Sequence, residues 1–314
     1  MTIFATENES LTVMRKKLTF FILFLVVTVT VFAQSESQAK LLKEAYNSQS
    51  TELLYKFFDN WSEEVKTNEG EGQNPYVAEA HKVFVAFYQP MQTEKRGVRK
   101  TMYDDKPFFI VQGSLWKIEQ AEEILYKAEE IDSFLVARIL KYRPNDTIEQ
   151  KKWMNICRED SRIRPDYGGV FGFSYWLTTI PTTTLDSSIT FRPSVHFDGK
   201  KIVYLTQEYA KLLNSFLGDD HVDLGTYDIM QTAFAKDESQ SKQEFLNNAV
   251  QIYYGHWGGY WQYETYPKAN QIIFNPEMNR AVVMFRFVYE GGEAILEKQN
   301  GEWKVVDFRF TWIE

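Results

Sequence analysis

Hydrophobic residues recur at helical spacing in two early segments of the chain, residues 51–66 and 75–90. Ser50 is placed to cap the first predicted helix. Pro75 suits the first turn of the second, which we expect to end at Pro90. The two apolar stripes consist of Leu54, Phe57, Phe58, Trp61 and Val65, and of Tyr76, Ala80, Val83, Phe84 and Phe87.

Strands are predicted where β-branched and aromatic residues cluster between turn residues. Residues 107–111 form one strand, and residues 191–195 and 201–206 form two more around a turn at 197–200. The segment 119–141 fits either a helix or a strand, and both alternatives stay open.

Two further helices are predicted from their end signals. Thr206 is a suitable N-cap for the helix that follows it, and Gly218 is a suitable stop. The sequence SKQE at 241–244 matches a capping box, in which the serine accepts from a backbone N–H and the glutamate reaches back. It predicts the beginning of a helix that covers residues 242–254.

The end of the chain alternates between apolar and polar positions, which is typical of antiparallel strands. The predicted strands are 271–275, 279–290, 294–299 and 302–314, with a tight turn at 290–293. Asn300-Gly301 favours a two-residue type I′ turn, since both central residues of that turn need positive φ. One face should carry Ala281, Val283, Phe285, Phe287 and Tyr289, with Val306, Phe308, Phe310 and Trp312. This face needs a cover, for which the 242–254 helix is the candidate.

The predicted fold class is therefore α+β. A helix-rich region, 34–165, precedes an α+β region, 166–314, which ends in an antiparallel meander covered by a helix. The soft boundary near residue 165 follows from a polar, charged and proline-containing run at 142–168.

Two segments resemble a known group of proteins. The tail GGEAILEKQNGEWKVVDFRFTWIE (291–314) looks like the C-termini of a group of exported bacterial proteins of unknown function, and KIVYLTQEYAKLLNSFLG (201–218) is similar to an internal block of that group. The order of a helix and then a meander with a terminal NGEWKVVDF hairpin also resembles cone-shaped NTF2-like domains, over the last quarter of the chain. The resemblance implies no catalytic residues.

Residues 14–33 have the layout of a secretory signal peptide. Three basic residues at 15–17 precede a mostly apolar run at 18–33, and Ala33 suits a cleavage site that leaves Gln34 first. A transmembrane anchor is the alternative, but sixteen residues are fewer than the roughly 20 that a span needs. We therefore predict export to the periplasm or the cell surface, without a stable membrane anchor after cleavage.

The residues before and after this segment refine that prediction. Residues 1–13 carry two acids and no base, so we interpret Met14 as the true start.

The only cysteine, Cys157, is far from the cleavage site, which argues against a lipoprotein. Removing residues 1–33 takes away two acids and three bases and leaves 41 acids and 32 bases, a net charge of −9. This charge argues against nucleic acid as a partner.

No motif fixes a reaction. The four histidines, at 81, 196, 221 and 256, show no metal-ligand spacing, so neither a metal nor another cofactor is expected. His81 lies beside an apolar helical stripe, and Cys157 lies in a charged run, so we interpret both as structural. No catalytic residue is assigned.

The stretch YYGHWGGYWQYETYP (253–267) is rich in tyrosine and tryptophan. Its three glycines disfavour a helix, so the predicted helix should end near Gly255, with the aromatic residues in a loop over the sheet. One interpretation is that they plug the core. The other is the mouth of a pocket for sugars, peptides or lipid headgroups, in which Trp257, Tyr260, Trp261 and Tyr263 offer flat faces and His256 and Glu264 offer polar groups.

The leading hypothesis is a non-enzymatic binding or interaction module of the cell envelope, with a small molecule, a glycan or a peptide as ligand. The alternative is a hydrolase that acts on an envelope or dietary polymer. It requires two carboxyl groups roughly 5–9.5 Å apart beneath the aromatic surface.

Overall fold

The computed structural model describes residues 36–68, 74–92, 103–127, 130, 133, 179, 182–218, 229–254 and 261–313. Within them lie five helices: α1 (36–47), α2 (Thr51–Glu64), α3 (Pro75–Phe87), α4 (Gln207–Leu217) and α5 (Ile229–Leu246). The strands are β1 (Phe108–Gln112), β2 (Ser114–Ala121), β3 (Thr182–Thr190), β4 (Lys201–Leu205), β5 (Tyr253–Tyr254), β6 (Trp261–Gln262), β7 (Lys268–Phe274), β8 (Arg280–Phe287), β9 (Glu290–Gln299) and β10 (Glu302–Ile313). The fold is mixed α+β, as predicted. The predicted signal peptide, 1–33, and the boundary near residue 165 lie outside the described residues.

Six strands form one sheet in the order β10-β9-β8-β7-β2-β3. Neighbouring strands are antiparallel, except that β2 and β7 run parallel. Strands from both sides of residue 165 therefore share one sheet. β1 and β4 form a parallel pair, and β5 and β6 form a two-residue antiparallel ladder.

Local sequence signals fix the ends of three helices. The Ser50 side chain accepts a hydrogen bond from the backbone N–H of Leu53 (3.2 Å), which confirms the predicted cap of α2. Thr206 caps α4, and Gly218 ends it at a φ of 94°. α3 begins at Pro75 as expected but ends at Phe87, three residues before Pro90.

The strand predicted at 191–195 is wrong, and β3 ends just before it. Asn68 explains the change. Its side chain accepts from the N–H of Arg192 (2.7 Å) and donates to the carbonyl of Thr190 (2.8 Å). These backbone groups therefore bond to a side chain instead of a neighbouring strand. The sequence allows either a helix or a strand for residues 119–141. In the structure, residues 119–121 belong to β2, which ends at Ala121.

The capping box at 241–244 is also wrong, because α5 already runs through it from Ile229 to Leu246. The Glu244 carboxylate accepts from the Gln240 side chain one turn earlier (3.1 Å) and not from a capped backbone. The chain leaves the helix at Asn247, whose side chain accepts from the N–H of Ile252 (3.0 Å). The predicted helix over 242–254 thus ends early, and residues 253–254 are a strand.

The predicted meander is present as β7 to β10, and two of its turns test the sequence signals. Asn300 and Gly301 have φ values of 53° and 86°, so the predicted turn with two positive φ angles is confirmed. The turn predicted at 290–293 is wrong. The chain turns at 288–289, where Val288 has a φ of 53°, and residues 290–293 belong to β9.

Two register shifts in β10 change which side chains face inward. Ala281, Val283, Phe285, Phe287, Phe308 and Phe310 lie in or against the main core, as predicted. The shift between Val305 and Asp307 places Val306 against the opposite face, and a second shift precedes Trp312. The inward positions predicted for Val306 and Trp312 are therefore wrong, because a bulge reverses the alternation of side chains.

The main core lies between the helices and one face of the six-stranded sheet. α3, rather than the predicted 242–254 helix, lies on the meander, where Phe87 packs against Phe285 (ring centroids 5.7 Å apart). α2 packs on β4, and the buried Trp61 donates to the carbonyl of Tyr204 (3.0 Å). The other face of the sheet, the outer face, carries a small apolar cluster that includes Val282 and Ile295.

Candidate functional site

The aromatic stretch 253–267 forms a short ladder instead of the end of a helix. Tyr253 pairs with Gln262, and Tyr254 pairs with Trp261. His256, Trp257 and Tyr260 lie in the loop between the two strands, outside the described residues.

The other three residues predicted here contact the protein itself. Trp261 is half-buried, edge-on to Tyr254 (4.9 Å), and its indole nitrogen lies 3.5 Å from the carbonyl oxygen of Gly218. Tyr263 is buried and donates from its hydroxyl to Asn214 on α4. Glu264 is buried beside Lys268, with 2.5 Å between its Oε1 and the lysine nitrogen. The structure therefore brings Tyr263 and Glu264 into the fold, and of these three residues Trp261 alone stays partly exposed.

Buried phenols surround this ladder. Tyr88 donates to the carbonyl of Thr265 (3.1 Å), and the hydroxyl of Tyr103 accepts from the N–H of Tyr266 (3.0 Å). Burial raises the pKa of Tyr88 and that of Tyr103 well above the ordinary value for tyrosine. These hydroxyls are therefore neutral hydrogen-bonding groups that hold the backbone of the stretch in place.

A second aromatic surface lies on the outer face of the sheet. We call it the tryptophan groove: a shallow pocket of about 270 Å³ lined by Trp116, Asn270, Gln271, Met284, Phe285, Gly292 and Trp312. Trp116 is 63% exposed and Trp312 is 37% exposed. Because most large apolar side chains in the described residues are buried, two accessible indoles at one pocket mark a candidate ligand surface.

The strand register explains how the two tryptophans come to share one pocket. Lys117 lies opposite Gln271, Gln271 opposite Met284, and Met284 opposite Glu293, so one row of side chains crosses β2, β7, β8 and β9. This row ends at Arg309 on β10, and Trp312 belongs to the neighbouring row through Gly291 and Arg286. Trp116 precedes Lys117 on β2, so the two tryptophans flank these rows on strands four spacings, or roughly 19 Å, apart.

Two glycines allow close contacts at the Trp312 end of the groove. A Cβ atom on Gly291 would lie 2.1 Å from the Trp312 ring, so the indole rests directly on the backbone of β9. A Cβ atom on Gly292 would lie 2.0 Å from the carbonyl oxygen of Arg309. Glycine inside a strand often marks such close approaches, which is why the sequence Gly-Gly here belongs to a strand and not to a turn.

Charged side chains beside the groove form ion pairs. Lys117 lies 2.6 Å from the buried carboxylate of Glu119, which also accepts from Gln271. Arg309 lies 2.5 Å from the buried carboxylate of Glu293. Cations also contact the indoles: the Lys117 nitrogen lies 4.7 Å from the Trp116 ring centroid, and the Arg286 guanidinium lies 5.7 Å from that of Trp312. In the part of the chain that the structure describes, no group of three or more His, Cys, Asp or Glu side chains could hold a metal ion.

A larger and more open depression, the hairpin pocket, lies between α3 and the β9–β10 turn. Its volume is about 700 Å³, and it is lined by Ala78, His81, Lys82, Val85, Ala86, Gln89, Ser194, Gly301, Glu302 and Trp303. The buried His81 packs edge-on against Phe191 (4.6 Å). Among the described residues, the one tryptophan that lines the hairpin pocket is Trp303, which is buried and hydrogen-bonded to Glu79. This pocket therefore offers a ligand less aromatic surface than the tryptophan groove.

The sequence interpretation did not assign a ligand role to Trp116 or Trp312. Trp116 falls between the buried Leu115 and the half-buried Lys117 on β2, in a segment for which no element was predicted. Trp312 was assigned to the wrong face. Leu115 and Ile118 are both buried in the main core although they are three residues apart, so strict alternation does not hold between them and could not have identified Trp116 from the sequence.

No known protein-family model, curated protein or solved structure matches this chain. Among the helices of the described residues, none is long and apolar enough to cross a membrane. Function is therefore inferred from the geometry of the tryptophan groove and from the sequence features given above.

Proposed function

We propose that the protein is an exported, non-enzymatic binding module of the cell envelope whose ligand lies in the tryptophan groove. The observation that carries this proposal is the pair of accessible indoles, Trp116 and Trp312, at the two ends of one pocket on the outer face. Export is supported by the signal-like segment 14–33.

The shape of the groove supports binding along its length. Trp312 rests on Gly291, so its ring is held against the strand and does not need to be ordered when a ligand arrives. A surface that is ordered in advance loses less conformational entropy on binding. The groove is open above, which suits a ligand that lies across the strands.

The alternative function is a hydrolase, and the carboxylates beside the groove bear on it. Glu119 and Glu293 are both buried, and each is already paired with a basic side chain. A buried carboxylate that is paired with a basic side chain usually has a structural role, in which it holds neighbouring side chains in place. A general acid instead needs a carboxyl group within reach of the ligand, and neither glutamate lines the tryptophan groove. This arrangement favours binding over hydrolysis.

We propose that the last quarter of the chain has an NTF2-like arrangement and that the chain belongs with the exported proteins that its tail resembles. Register shifts in β7 and β10 support a curved sheet, and α3 lies on the inner face of that sheet.

A ligand screen tests the function directly. Ring compounds of several classes, including sugars, aromatic acids and cyclic peptides, are tested by saturation-transfer NMR against the wild type and the double variant Trp116→Ala/Trp312→Ala. We expect binders that the double variant loses and that Ile313→Ala retains. Ile313 is a matched control because it is 66% exposed, adjacent to Trp312, and on the alternate side of the strand. If the double variant binds every compound as the wild type does, the proposed function is wrong.

An activity assay tests the alternative. Polysaccharides are incubated with the protein, and new reducing ends are measured for the wild type and for Glu119→Gln and Glu293→Gln. We expect no release of reducing ends. Release that disappears in either variant would make the protein a hydrolase.

A further inference from the structure

The class of ligand can be narrowed from the chemistry of the groove, on the assumption that the proposed function holds. We propose that the tryptophan groove binds a neutral oligosaccharide, which lies across the strands and stacks one sugar ring on Trp116 and another on Trp312. The proposal depends on three features: the faces offered by the indoles, the groups between them and the balance of charge.

Sugar rings match indole faces. One face of many pyranose rings presents several C–H groups, whose hydrogens carry a small positive charge. The face of an indole is negative because of its quadrupole, so the two surfaces attract each other while both lose contact with water. Trp116 is accessible enough to offer such a face, since 63% of its surface is exposed.

Polar side chains in the middle of the groove can form hydrogen bonds with the hydroxyl groups along the edge of a sugar chain. Asn270 and Gln271 lie between the tryptophans, and an amide side chain carries both donors and an acceptor. Sugar hydroxyls are also both donors and acceptors, so the Asn270 amide can donate to them or accept from them, whereas the Gln271 amide nitrogen already donates to Glu119.

The charge around the groove favours a neutral ligand. Three basic side chains border it, Lys117, Arg286 and Arg309, and three acidic side chains lie among them, Glu119, Glu293 and Asp307. Their formal charges cancel. A strongly anionic or cationic ligand would therefore meet no complementary field, whereas a neutral chain of sugar rings meets no repulsion.

The separation of the tryptophans predicts a minimum length. Their strands lie roughly 19 Å apart, but the Trp312 ring lies back over β9 and both rings reach one pocket, so the rings are closer together than the strands. A monosaccharide that stacks on one indole does not also stack on the other. A longer chain reaches both, and contact with the second indole becomes intramolecular once the first is made. Affinity should therefore rise steeply at one chain length and then level off.

A length series tests this inference. β-1,4-linked N-acetylglucosamine and β-1,4-linked glucose, each from the monosaccharide to the hexasaccharide, are titrated by calorimetry into the wild type, Trp116→Ala, Trp312→Ala and Ile313→Ala. In at least one series we expect the affinity for the wild type to increase roughly tenfold or more at the length that bridges both indoles. Each tryptophan variant should lose that increase and keep the weak affinity of the short chains, whereas Ile313→Ala should behave as the wild type does.

The possible outcomes distinguish a wrong ligand class from a wrong function. If neither sugar series binds but other ring compounds bind in a way that depends on Trp116 and Trp312, the sugar proposal is overturned and the binding module stands. Binding of a peptide alone would overturn it in the same way. If sugars bind equally well to the double variant Trp116→Ala/Trp312→Ala, the groove is not the site, and both proposals fail.

Discussion

The indole nitrogen of Trp303, on β10, donates a hydrogen bond of 2.8 Å to the carboxylate of Glu79, on α3. Lys298, on β9, lies 2.9 Å from the same carboxylate, and Lys82, on α3, lies 2.7 Å from it. One acidic side chain thus fastens the last hairpin to the helix that covers the meander. Its titration should therefore be coupled to folding.

Replacement of Glu79 by glutamine should change the acid stability of the protein. Burial alone would raise the pKa of Glu79, but hydrogen bonds from Lys82, Lys298 and Trp303 lower it from 4.5 to about 2. Because the folded-state pKa is the lower one, this stabilisation is present above pH 4.5 and is lost as the pH falls toward 2.

Urea unfolding at a series of pH values measures this effect. Between pH 5 and pH 2 the wild type should lose about 1–2 kcal/mol more than Glu79→Gln, after allowance for screening by solvent. Glu302→Gln, which removes an exposed carboxylate from the same hairpin, should follow the wild type. Parallel curves for the wild type and Glu79→Gln would contradict the coupling.

The turn between β9 and β10 should not tolerate a β-branched residue. Gly301 has a φ of 86°, and a Cβ atom there would meet nothing within 4 Å, so any cost comes from the backbone conformation alone. Gly301→Val should lower the free energy of unfolding by about 1 kcal/mol or more, and Gly301→Asn should cost less. Equal melting temperatures for the two variants would rule out this source of strain.

The adjacent glycines of β9 should respond differently to alanine. In Gly291→Ala the new methyl group meets the Trp312 ring, which can swing toward solvent. The fold should therefore survive, and acrylamide should quench the tryptophan fluorescence more strongly. In Gly292→Ala the methyl group meets a backbone carbonyl, so β9 and β10 must separate, at a cost of roughly 1–3 kcal/mol. Similar stability losses in the two variants would mean that Trp312 does not rest on Gly291.

Two tryptophans with opposite surroundings should differ in their effect on stability. Trp61 is fully buried, donates to the carbonyl of Tyr204 and stacks on Tyr209 with ring centroids 4.1 Å apart. Trp61→Ala should cost about 3–5 kcal/mol, whereas Trp116→Ala should stay within about 0.5 kcal/mol of the wild type. Chemical denaturation of both variants measures the difference. A large loss for Trp116→Ala would make Trp116 a structural residue and remove one end of the tryptophan groove.

Under the proposed export, the N-terminus of the mature protein should be Gln34. The basic residues at 15–17 and the short apolar run at 18–33 predict cleavage after Ala33. Mass spectrometry of the natively produced protein determines the terminus. A chain that keeps residues 18–33 in a membrane fraction would make the protein membrane-anchored.

Signals that act within a few residues predicted structure well. Ser50, Thr206 and Asn300-Gly301 act through hydrogen bonds or φ values inside one turn of the chain, and each has the predicted role. The same kind of signal failed where a longer element overrode it. SKQE at 241–244 has the residues of a capping box, but α5 begins at Ile229 and includes these four residues.

The tryptophan groove depends on relationships that no local pattern carries. It needs β2 beside β7, and it needs a bulge in β10 that turns Trp312 to the outer face. The sequence therefore directed attention to the aromatic stretch 253–267, where the residues are adjacent in the chain. In the structure Tyr263 and Glu264 of that stretch are buried, and the accessible aromatic pair comes from strands at distant positions.

The parallel pairing of β2 with β7 has a kinetic consequence. Lys117 lies opposite Gln271, more than 150 positions later in the chain. Contacts between such distant segments require a large loop to close, and folding that depends on them is slow. The six-stranded sheet cannot be completed until nearly the whole polypeptide has left the ribosome, so the chain spends a long interval without its central strand pairing. Under the proposed export, this delay would keep the chain unfolded while it crosses a membrane.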